Sequence, residues 1–400
     1  MNEFEQIRAY RLRAHHLDQP LPPEGLEIAA GACGLQNSPP GAWETAAFNR
    51  LTDCTLKGLQ TALYEEKSVL QAWSYRGAPV VFPTDQSAVF LAALTARIGE
   101  ESWIYTRGIT LALDHLQMSF DELLPLVKEA ARYLEHHTVK SKEALDRTLA
   151  EIVEAALPAS KAALWREPSM YGAPDKQTVG GAVVSFLLRP CAFEALVVFG
   201  QREGISPTFT SFSNWIGHAP IPMPAAEKEL VRKFLRCYGP TTVQHFTDWL
   251  GASPRQAKRL WQNVSEELVP VQVQDKTCYL LASELANWQQ AESPAKRLLL
   301  LGAHDPYLDM RDRAVLLGDK ALHRQVWQTV ANPGVILKNG RIAGIWRTKT
   351  QKDKLNISLT AYEKLTAPEQ KQLADLAEAY AVFRQQTIKS LTIEESMSLA

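Results

Sequence analysis

Segments with the helical spacing of apolar residues alternate along this chain with pairs of short β-branched and aromatic runs. Each pair is separated by a few turn-forming residues, so each predicts a β-hairpin. The pairs lie at 69–75 with 78–83, at 193–200 with 206–216, and at 268–273 with 277–281. Helical patterns come before them at 56–66, from Ser119 onward and at 240–262. The chain therefore repeats one arrangement, in which helices lead into a hairpin.

The third of these arrangements is the most complete. A helix is predicted within 240–252, where apolar residues share one face and Gly251 marks the end. Ser253 then offers an N-cap and Pro254 a favourable first helical position, which predicts a second helix directly afterwards. Two helices joined by a short glycine-containing turn and followed by a hairpin are typical of a winged helix.

The C-terminal part has a different pattern, which is dominated by strands. Asn339-Gly340 is a strong signal for a two-residue hairpin turn, and Thr366 begins a capping-box pattern that predicts a terminal helix. The strands around the turn and after it are predicted at 334–338, 341–347 and 355–362. This region is therefore expected to be a β-hairpin-rich element closed by a helix.

Together, the patterns predict an α+β fold of three tandem winged-helix units with a C-terminal β-hairpin-rich element. The units show a similar order of elements but no detectable sequence repeat. The expected boundaries are 1–117 for winged helix 1 with N-terminal helices, 118–222 for winged helix 2, 223–290 for winged helix 3 and 291–400 for the C-terminal β-rich element and terminal helix.

The charge of the chain is balanced overall but uneven locally. The 400 residues include 43 Lys and Arg against 44 Asp and Glu, which argues against a protein that coats nucleic acid by bulk positive charge. Residues 225–262 nevertheless hold seven basic and three acidic residues, and residues 335–354 hold six against one. A solvated helix face explains the first excess about as well as a DNA contact does. Two separate basic segments favour DNA.

No segment has the apolar length of a membrane span, and the N-terminal residues do not resemble a signal peptide. The cysteines are odd in number and contain no C-x-x-C pair, which fits thiols in a reducing compartment better than a disulfide framework or a zinc site. They are Cys33, Cys54, Cys191, Cys237 and Cys278. These features predict a cytoplasmic protein that does not bind membranes.

Common catalytic and cofactor motifs are absent. The chain lacks G-x-G-x-x-G, the Walker A motif, G-x-S-x-G and H-E-x-x-H. Neither His15-His16 nor His136-His137 can chelate one metal in helical form, because neighbours on a helix point about 100° apart. We therefore expect no metal and no cofactor. Asp305, Asp309 and Asp312 are expected to cap turns or to pair with Arg311 and Arg313.

Five stretches together resemble one family, the winged-helix proteins typified by the AlkZ and YcaQ interstrand-crosslink DNA glycosylases. They occur in the order and spacing of the family between about residue 25 and residue 385. The stretches are 33–51, 70–77, 238–261, 299–317 and 332–347. The resemblance implies a C-shaped array of three winged helices closed by a β-rich element. It also implies hydrolysis of the N-glycosidic bond of N7-alkylated or crosslinked purines.

Active members of this family carry a Gln-x-Gln or Gln-x-Asp motif in the cleft that faces DNA. The corresponding residues here are Gln36-Asn37-Ser38, so the first position matches and the third does not. A histidine often found after Arg76-Gly77 is replaced, with Val80 at the aligned position. The resemblance implies that Gln36 positions water and that Ser38 assists it. Without the resemblance, the same residues read as a polar turn.

The candidate DNA contacts are basic residues on a helix, a hairpin and two turns. For Arg76 a role in the hairpin turn competes with a phosphate contact, and for the helical residues a solvated face competes with phosphate binding. Trp261 and Trp346 are expected in the core rather than as base-stacking platforms. The candidates are Arg76, Arg255, Lys258, Arg259, Arg341, Arg347 and Lys349, with Lys352 in the loop that follows.

The favoured function is that of a monofunctional DNA glycosylase, which acts on double-stranded DNA as a monomer. The alternative is a non-catalytic winged-helix DNA-binding protein or transcription regulator. A ligand-sensing regulator would be expected to carry a dimerisation helix or a sensor domain, and neither is evident. Three tandem units in one chain can instead embrace one duplex, which favours repair.

Overall fold

The computed structural model describes residues 2–101, 104–171, 176–292 and 297–396. The chain forms two compact units, and both are assembled from separate stretches of sequence. Unit 1 comprises Met1–Ala62, Arg232–His245 and Val264–Ala400, and unit 2 comprises Leu63–Val231 and Phe246–Asn263.

Helices and strands are mixed throughout the described residues. The α-helices are α1 (Glu3–Ala14), α2 (Leu26–Cys33), α3 (Ala42–Phe48), α4 (Leu56–Gln60), α5 (Ser87–Phe90), α6 (Thr110–Leu116), α7 (Phe120–Ala131), α8 (Lys142–Glu154), α9 (Ala159–Trp165), α10 (Val179–Phe193), α11 (Phe212–Ile216), α12 (Ala226–Tyr238), α13 (Val243–Leu250), α14 (Pro254–Gln262), α15 (Leu285–Gln289), α16 (His323–Val326) and α17 (Ala367–Phe383). The strands are β1 (Leu35–Gln36), β2 (Val69–Trp73), β3 (Pro79–Pro83), β4 (Val139–Lys140), β5 (Val198–Phe199), β6 (Thr208–Thr210), β7 (Leu268–Val273), β8 (Lys276–Leu281), β9 (Leu298–Leu301), β10 (Gly334–Lys338), β11 (Arg341–Gln351), β12 (Lys354–Ala361) and β13 (Thr387–Glu395).

A five-stranded sheet dominates unit 1, with the strand order β13-β12-β11-β10-β9. Asn339 and Gly340 both have positive φ at the β10–β11 turn, at 53° and 78°, as a type I′ hairpin turn requires. The predicted hairpin is confirmed. The predicted terminal helix is also confirmed as α17, because Thr366 caps it reciprocally with Glu369. α17 packs against β9.

The core of unit 1 joins the sheet to the N-terminal helix. Ile7 of α1 is buried together with β-strand residues such as Leu301 and Val335. Beside this core, Arg11 forms an ion pair with Asp312, with 2.6 Å between Nη2 and Oδ2. Burial alone would raise the pKa of Asp312, but the Arg11 guanidinium outweighs this effect and lowers it.

Unit 2 is built mainly of helices around one apolar core. The helices α7, α8 and α10 pack against one another, and Leu123, Leu149 and Val183 are buried between them. Ser119 caps α7 with Glu122 in the predicted capping box, which is confirmed. Unit 2 also contains the β2–β3 hairpin and a three-stranded sheet in which β6 lies between β4 and β5.

The helices predicted between 240 and 262 are confirmed as α13 and α14. Gly251 ends α13 with φ of 72°, and the Ser253 hydroxyl accepts the Gln256 N–H at 3.2 Å at the start of α14. The hairpin predicted after them is present as β7 and β8. α14 belongs to unit 2, whereas this hairpin belongs to unit 1.

The second predicted hairpin is only partly right. Its strands are short, because Phe193 still belongs to α10 and the residues after Thr210 form α11. Ser211 explains the second departure, since its side chain accepts the Asn214 N–H and caps a helix where an extended run was expected. Apolar runs of this length do not distinguish a buried helix from a strand.

The mixed fold of helices and sheets agrees with the expected α+β class. The number of winged-helix units and the boundaries at 117, 222 and 290 stay predictions. Within the described ranges, every helix falls short of the length and apolar character that a membrane span would require.

Candidate active site

The Gln36-Asn37-Ser38 motif lies in a tight loop of unit 1 between α2 and α3. Gly34 ends α2 with a positive φ of 80°, and Gly41 precedes α3 with φ of 93°. Between them, the Asn37 side-chain oxygen accepts the Gly41 N–H at 2.7 Å. Both glycines adopt backbone conformations that other residues rarely tolerate, so the loop has a defined shape.

The three motif residues differ in their exposure. Gln36 and Asn37 are buried, each with 7% of its surface exposed, while Ser38 is half-buried. The Gln36 amide nitrogen donates to the Ser38 carbonyl at 3.5 Å, inside the loop. The amide oxygen is therefore the atom of Gln36 with the chemistry to accept a hydrogen bond from water.

Ser38 lines a cavity of about 760 Å³ in unit 1, which we call the Ser38 cavity. Gln36 and Asn37 are not among the residues that line it. The volume is in the range of small-molecule and cofactor sites. Its walls come from the motif loop, the segment after β9, the segment before β10, β11 and the end of α17, and the polar and charged lining residues include Thr45, His304, Asn332, Arg347, Thr348, Arg384 and Gln386.

The cavity is cationic on one side. Arg347 is exposed and donates to the Ala331 carbonyl at 3.3 Å, which leaves most of its donors directed at solvent. Arg384 is neutralised by an ion pair with Glu44. Arg347 is thus the predicted DNA contact that the structure places beside the motif.

His304 is a cavity residue that the sequence analysis did not select. Its φ of 58° is unusual for a residue other than glycine, and its Nε2 lies 3.5 Å from the Asn332 side-chain nitrogen. Neither the backbone conformation nor the proximity to Ser38 could be read from the spacing along the chain. His304 faces the cavity because of how the segment after β9 is anchored.

That anchor is a buried ion pair between Arg50 and Asp305. Two parallel hydrogen bonds of 2.8 Å join the guanidinium to the carboxylate, and Arg50 also donates to the Ala46 carbonyl of α3 at 2.9 Å. Burial opposes the charge on Arg50, but the Asp305 carboxylate outweighs it and raises the pKa of Arg50. The pair links the end of α3 to the segment after β9, and both of these elements line the cavity. Asp305 also accepts the Tyr307 N–H at 3.0 Å, as expected for a turn-capping residue.

The three predicted DNA contacts of α14 lie in unit 2 and have different environments. Lys258 and Arg255 are exposed, and Arg255 donates to the Gly99 carbonyl at 2.6 Å. Arg259 instead pairs with Glu100 at 2.6 Å and with Glu227 at 2.7 Å. Burial would lower the pKa of Arg259, but these hydrogen bonds outweigh it and raise the pKa. A phosphate would have to compete with two carboxylates for Arg259.

Arg76 lies in the β2–β3 turn with φ of 55°. Its guanidinium donates to the Trp249 carbonyl at 2.9 Å and lies 5.0 Å from the Tyr75 ring centre. Trp249 in turn stacks on Tyr75. These contacts support a structural role in the turn, while a phosphate contact stays a prediction.

The predicted DNA contacts on β11 also differ in their surroundings. Arg341 pairs with Glu363, whereas Lys349 is exposed, as is Lys352 in the next turn. Burial would raise the pKa of Glu363, but hydrogen bonds from Lys338 and Arg341 outweigh it and lower the pKa. Trp346 and Trp261 are buried, as expected, and the Trp346 indole N–H donates to the Leu301 carbonyl at 2.7 Å.

One group of side chains in the described residues has the composition of a metal site. His15, Cys33 and Cys237 bring their ligand atoms within 4.8 Å of one another. No disulfide joins any of the five cysteines, all of which are described. The sequence did not reveal this group, because its members are 18 and 204 residues apart in the chain.

The fold and the site together define a mixed helix-and-sheet protein with a polar, cationic cavity beside a glutamine-containing loop. The profile of the family described as DNA glycosylase AlkZ-like matches residues 29–383. The chain therefore belongs to the AlkZ-like DNA glycosylase family.

Individual relatives agree with this assignment. The chain is 24% identical over 365 residues to the interstrand DNA cross-link repair glycosylase of Streptomyces sahachiroi, with 87% of this chain and 88% of the relative covered. It is also similar to the solved structure of Streptomyces sahachiroi DNA glycosylase AlkZ, with a TM-score of 0.75 and 17% identity over 97% of this chain and 99% of that one. The structural likeness shows that the fold is shared.

Proposed function

We propose that the chain is a DNA glycosylase that hydrolyses the N-glycosidic bond of N7-alkylated or crosslinked purines in double-stranded DNA. Gln36 positions the attacking water in this proposal, and Ser38 assists. Membership of the AlkZ-like family supports the reaction class, and the name of the curated relative supports the substrate class.

The main requirement of this reaction is that the protein positions the reacting groups. A purine alkylated at N7 is cationic and leaves readily, so a strong general acid is not required. The enzyme must hold water near the anomeric carbon and stabilise an oxocarbenium-like centre. An amide oxygen can accept a hydrogen bond from that water and orient it.

The observation that carries the proposal is the loop from Gln36 to Gly41 beside the Ser38 cavity. The Gln36 amide nitrogen donates to the Ser38 carbonyl within the loop at 3.5 Å, at the long end of the hydrogen-bond range. Ser38 faces a cavity that also contains Arg347 and His304. Ser38 is shorter than the family's glutamine or aspartate and carries no charge, so we expect slower catalysis or a different lesion preference.

DNA would be held by basic residues that are not occupied by carboxylates. Arg255 and Lys258 on α14, and Arg347 and Lys349 on β11, are exposed. Exposed cations of this kind release counterions when they bind phosphate. Arg76, Arg259 and Arg341 stay weaker candidates, because each is engaged by other protein groups.

We also infer that the elements follow the family's plan of three winged helices and a β-rich element in a C-shaped array. Helices followed by the hairpins β2–β3 and β7–β8 support two of these units. One chain carries the motif loop and both basic segments, so a monomer is expected to suffice. A cytoplasmic location remains the expectation from the cysteine pattern.

Base release is the decisive measurement. The protein is incubated with duplex DNA that contains either N7-alkylguanine or a nitrogen-mustard crosslink, and released base is quantified in single turnover at saturating protein. We expect release by the wild type and a loss of roughly 100-fold in Gln36→Ala, because a fixed dipole at the reacting centre is removed. Gln60→Ala, on the exposed end of α4, is the matched control.

The second candidate is a DNA-binding protein without catalysis. The burial of Gln36 and the uncharged Ser38 favour it. Tight binding to damaged duplex with no base release above that of Gln36→Ala would support this candidate and refute the proposed reaction.

A further inference from the structure

Three side chains from distant parts of the sequence converge inside unit 1. His15 follows the last residue of α1, Cys33 is the last residue of α2, and Cys237 lies one residue before the end of α12. Their ligand atoms all lie within 4.8 Å of one another, and His15 Nδ1 is 3.9 Å from Cys33 Sγ. None of the three is part of the Ser38 cavity lining.

The cluster is closed to solvent and leaves one nitrogen without a hydrogen bond. All three residues are buried. Among the described residues, His15 Nε2 is a buried polar atom with no hydrogen-bond partner. Tyrosine rings flank the imidazole edge to face, with centroids at 5.1 Å for Tyr238 and 5.7 Å for Tyr307. The ring nitrogen that faces Cys33 Sγ is Nδ1, so Nδ1 is the candidate metal ligand and Nε2 stays outside the coordination.

The two sulfur atoms belong to the same buried cluster, in which all ligand atoms lie within 4.8 Å of one another. The Tyr238 hydroxyl lies 3.7 Å from Cys33 Sγ and donates to the Pro306 carbonyl at 2.9 Å. A divalent cation bound by two thiolates and a neutral imidazole would leave a cluster with no net charge. A neutral cluster suits a buried position.

We propose that His15, Cys33 and Cys237 bind one Zn²⁺ ion. Tetrahedral zinc with Zn–S of about 2.3 Å and Zn–N of about 2.0 Å places its ligand atoms roughly 3.6–3.8 Å apart. The separation of 3.9 Å between His15 Nδ1 and Cys33 Sγ is close to this value, so small side-chain movements suffice. Two thiolates and one imidazole are a ligand set that zinc prefers, and a buried water would occupy the fourth position.

The role of the ion is structural and does not depend on the reaction proposed above. It cross-links the ends of α1 and α2 to α12, and Cys33 lies three residues before Gln36. The metal would therefore fix the point at which the motif loop leaves α2. A disulfide between Cys33 and Cys237 is the competing outcome, and it would leave His15 without a function in the cluster.

The test uses the full chain, purified under reducing conditions from zinc-supplemented cells without chelators. Metal analysis is expected to find one zinc ion per chain, as for a preformed single site. After exchange with Co²⁺, a thiolate-to-cobalt charge-transfer band is expected. Cys33→Ser, Cys237→Ser and His15→Ala should lose both the zinc and the band, whereas Cys54→Ser and Cys278→Ser, outside the cluster, should retain them.

A second measurement keeps the proposal testable if the cluster variants fold poorly. Removal of the metal from the wild type with a strong chelator should lower the melting temperature, and added zinc should restore it. Wild-type protein without zinc that shows no cobalt band after reduction would overturn the proposal. So would loss of two titratable thiols through a Cys33–Cys237 disulfide in place of metal binding.

Discussion

The two basic segments, α14 in unit 2 and β11 in unit 1, carry similar charge but differ in what surrounds them. On each, one arginine is neutralised: Arg259 by Glu100 and Glu227, and Arg341 by Glu363. On each, other cations are exposed. Counting basic residues in a sequence therefore overstates the positive charge that is available to DNA.

The segments differ in their relation to the motif. β11 contributes Arg347 to the same cavity as Ser38, and the buried Arg50–Asp305 pair lies next to His304, which also lines that cavity. α14 contributes nothing to this cavity. Substitutions around the cavity should therefore change base release from bound DNA, whereas substitutions on α14 should change only the binding of DNA.

The largest effect is expected from breaking the cavity wall. Asp305→Ala leaves the buried Arg50 charge without its partner and should lower the free energy of unfolding by about 3–5 kcal/mol. Urea unfolding monitored by tryptophan fluorescence measures the change, with Asp353→Ala in an exposed turn of unit 1 as the control. If Asp305→Ala lowers the free energy of unfolding no more than the control does, the Arg50–Asp305 pair does not stabilise this part of the cavity.

A smaller effect is expected at Arg347. Arg347→Ala removes an exposed cation from the Ser38 cavity and should slow base release by about 10- to 100-fold, since a charged hydrogen bond contributes roughly 1.5–3 kcal/mol. Single-turnover rates at saturating protein separate this effect from binding. Lys349→Ala, two residues along β11, should change binding but not the saturated rate. Equal effects of both substitutions on the saturated rate would contradict the inference that Arg347 acts at the Ser38 cavity.

On α14 the effect should be confined to affinity. Each of Arg255→Ala and Lys258→Ala should weaken duplex binding and reduce the salt slope by about 1, while the saturated rate of base release stays constant. Binding titrations at several salt concentrations test this, with Lys371→Ala on the exposed side of α17 for comparison. An unchanged salt slope would show that α14 does not contact DNA.

The smallest effect concerns the network that occupies Arg259. Burial would raise the pKa of Glu100, but the hydrogen bond from Arg259 outweighs it and lowers the pKa. A depressed pKa in the folded state means that the contribution to stability is present above the ordinary glutamate value of about 4.3. It is lost as the pH falls through the folded-state value.

Glu100→Gln should therefore reduce stability at pH 7 by only about 1 kcal/mol, because Arg259 keeps its second ion pair with Glu227. The difference from the wild type should shrink as the pH falls below about 4. Thermal unfolding across this range measures it, with the exposed Glu151→Gln of α8 as the control. A difference that is independent of pH would mean that the glutamate charge is not what stabilises Arg259.

Local signals predicted much of the secondary structure. Asn339-Gly340, Ser253-Pro254 and Thr366 mark a turn and two helix starts where the structure has them, because each acts through hydrogen bonds within a few residues. The prediction failed at 206–216, where an apolar run contained the helix α11. A short apolar run fits either state, and only the Ser211 cap and the surrounding packing select the helix.

Side-chain pairing over long distances was less predictable. Asp312 was expected to cap a turn or to pair with Arg311 or Arg313, its neighbours in the sequence, and instead pairs with Arg11. Asp305 caps a turn as expected but pairs with Arg50, 255 residues away. Adjacent residues compete poorly for such a carboxylate, because a buried guanidinium has no water to replace its partner.

The sequence by itself determined the local elements, the family blocks and the position of Gln36-Asn37-Ser38, since these depend on short-range geometry and residue identity. Only the tertiary structure decided that Ser38 shares a cavity with His304 and Arg347, that Arg259 is occupied by carboxylates, and that His15, Cys33 and Cys237 meet. These arrangements depend on contacts between segments that are far apart in the chain, and such contacts leave no periodic signal in the sequence. The sequence therefore shows which residues are available for the site, and the packing of distant segments determines which of them meet there.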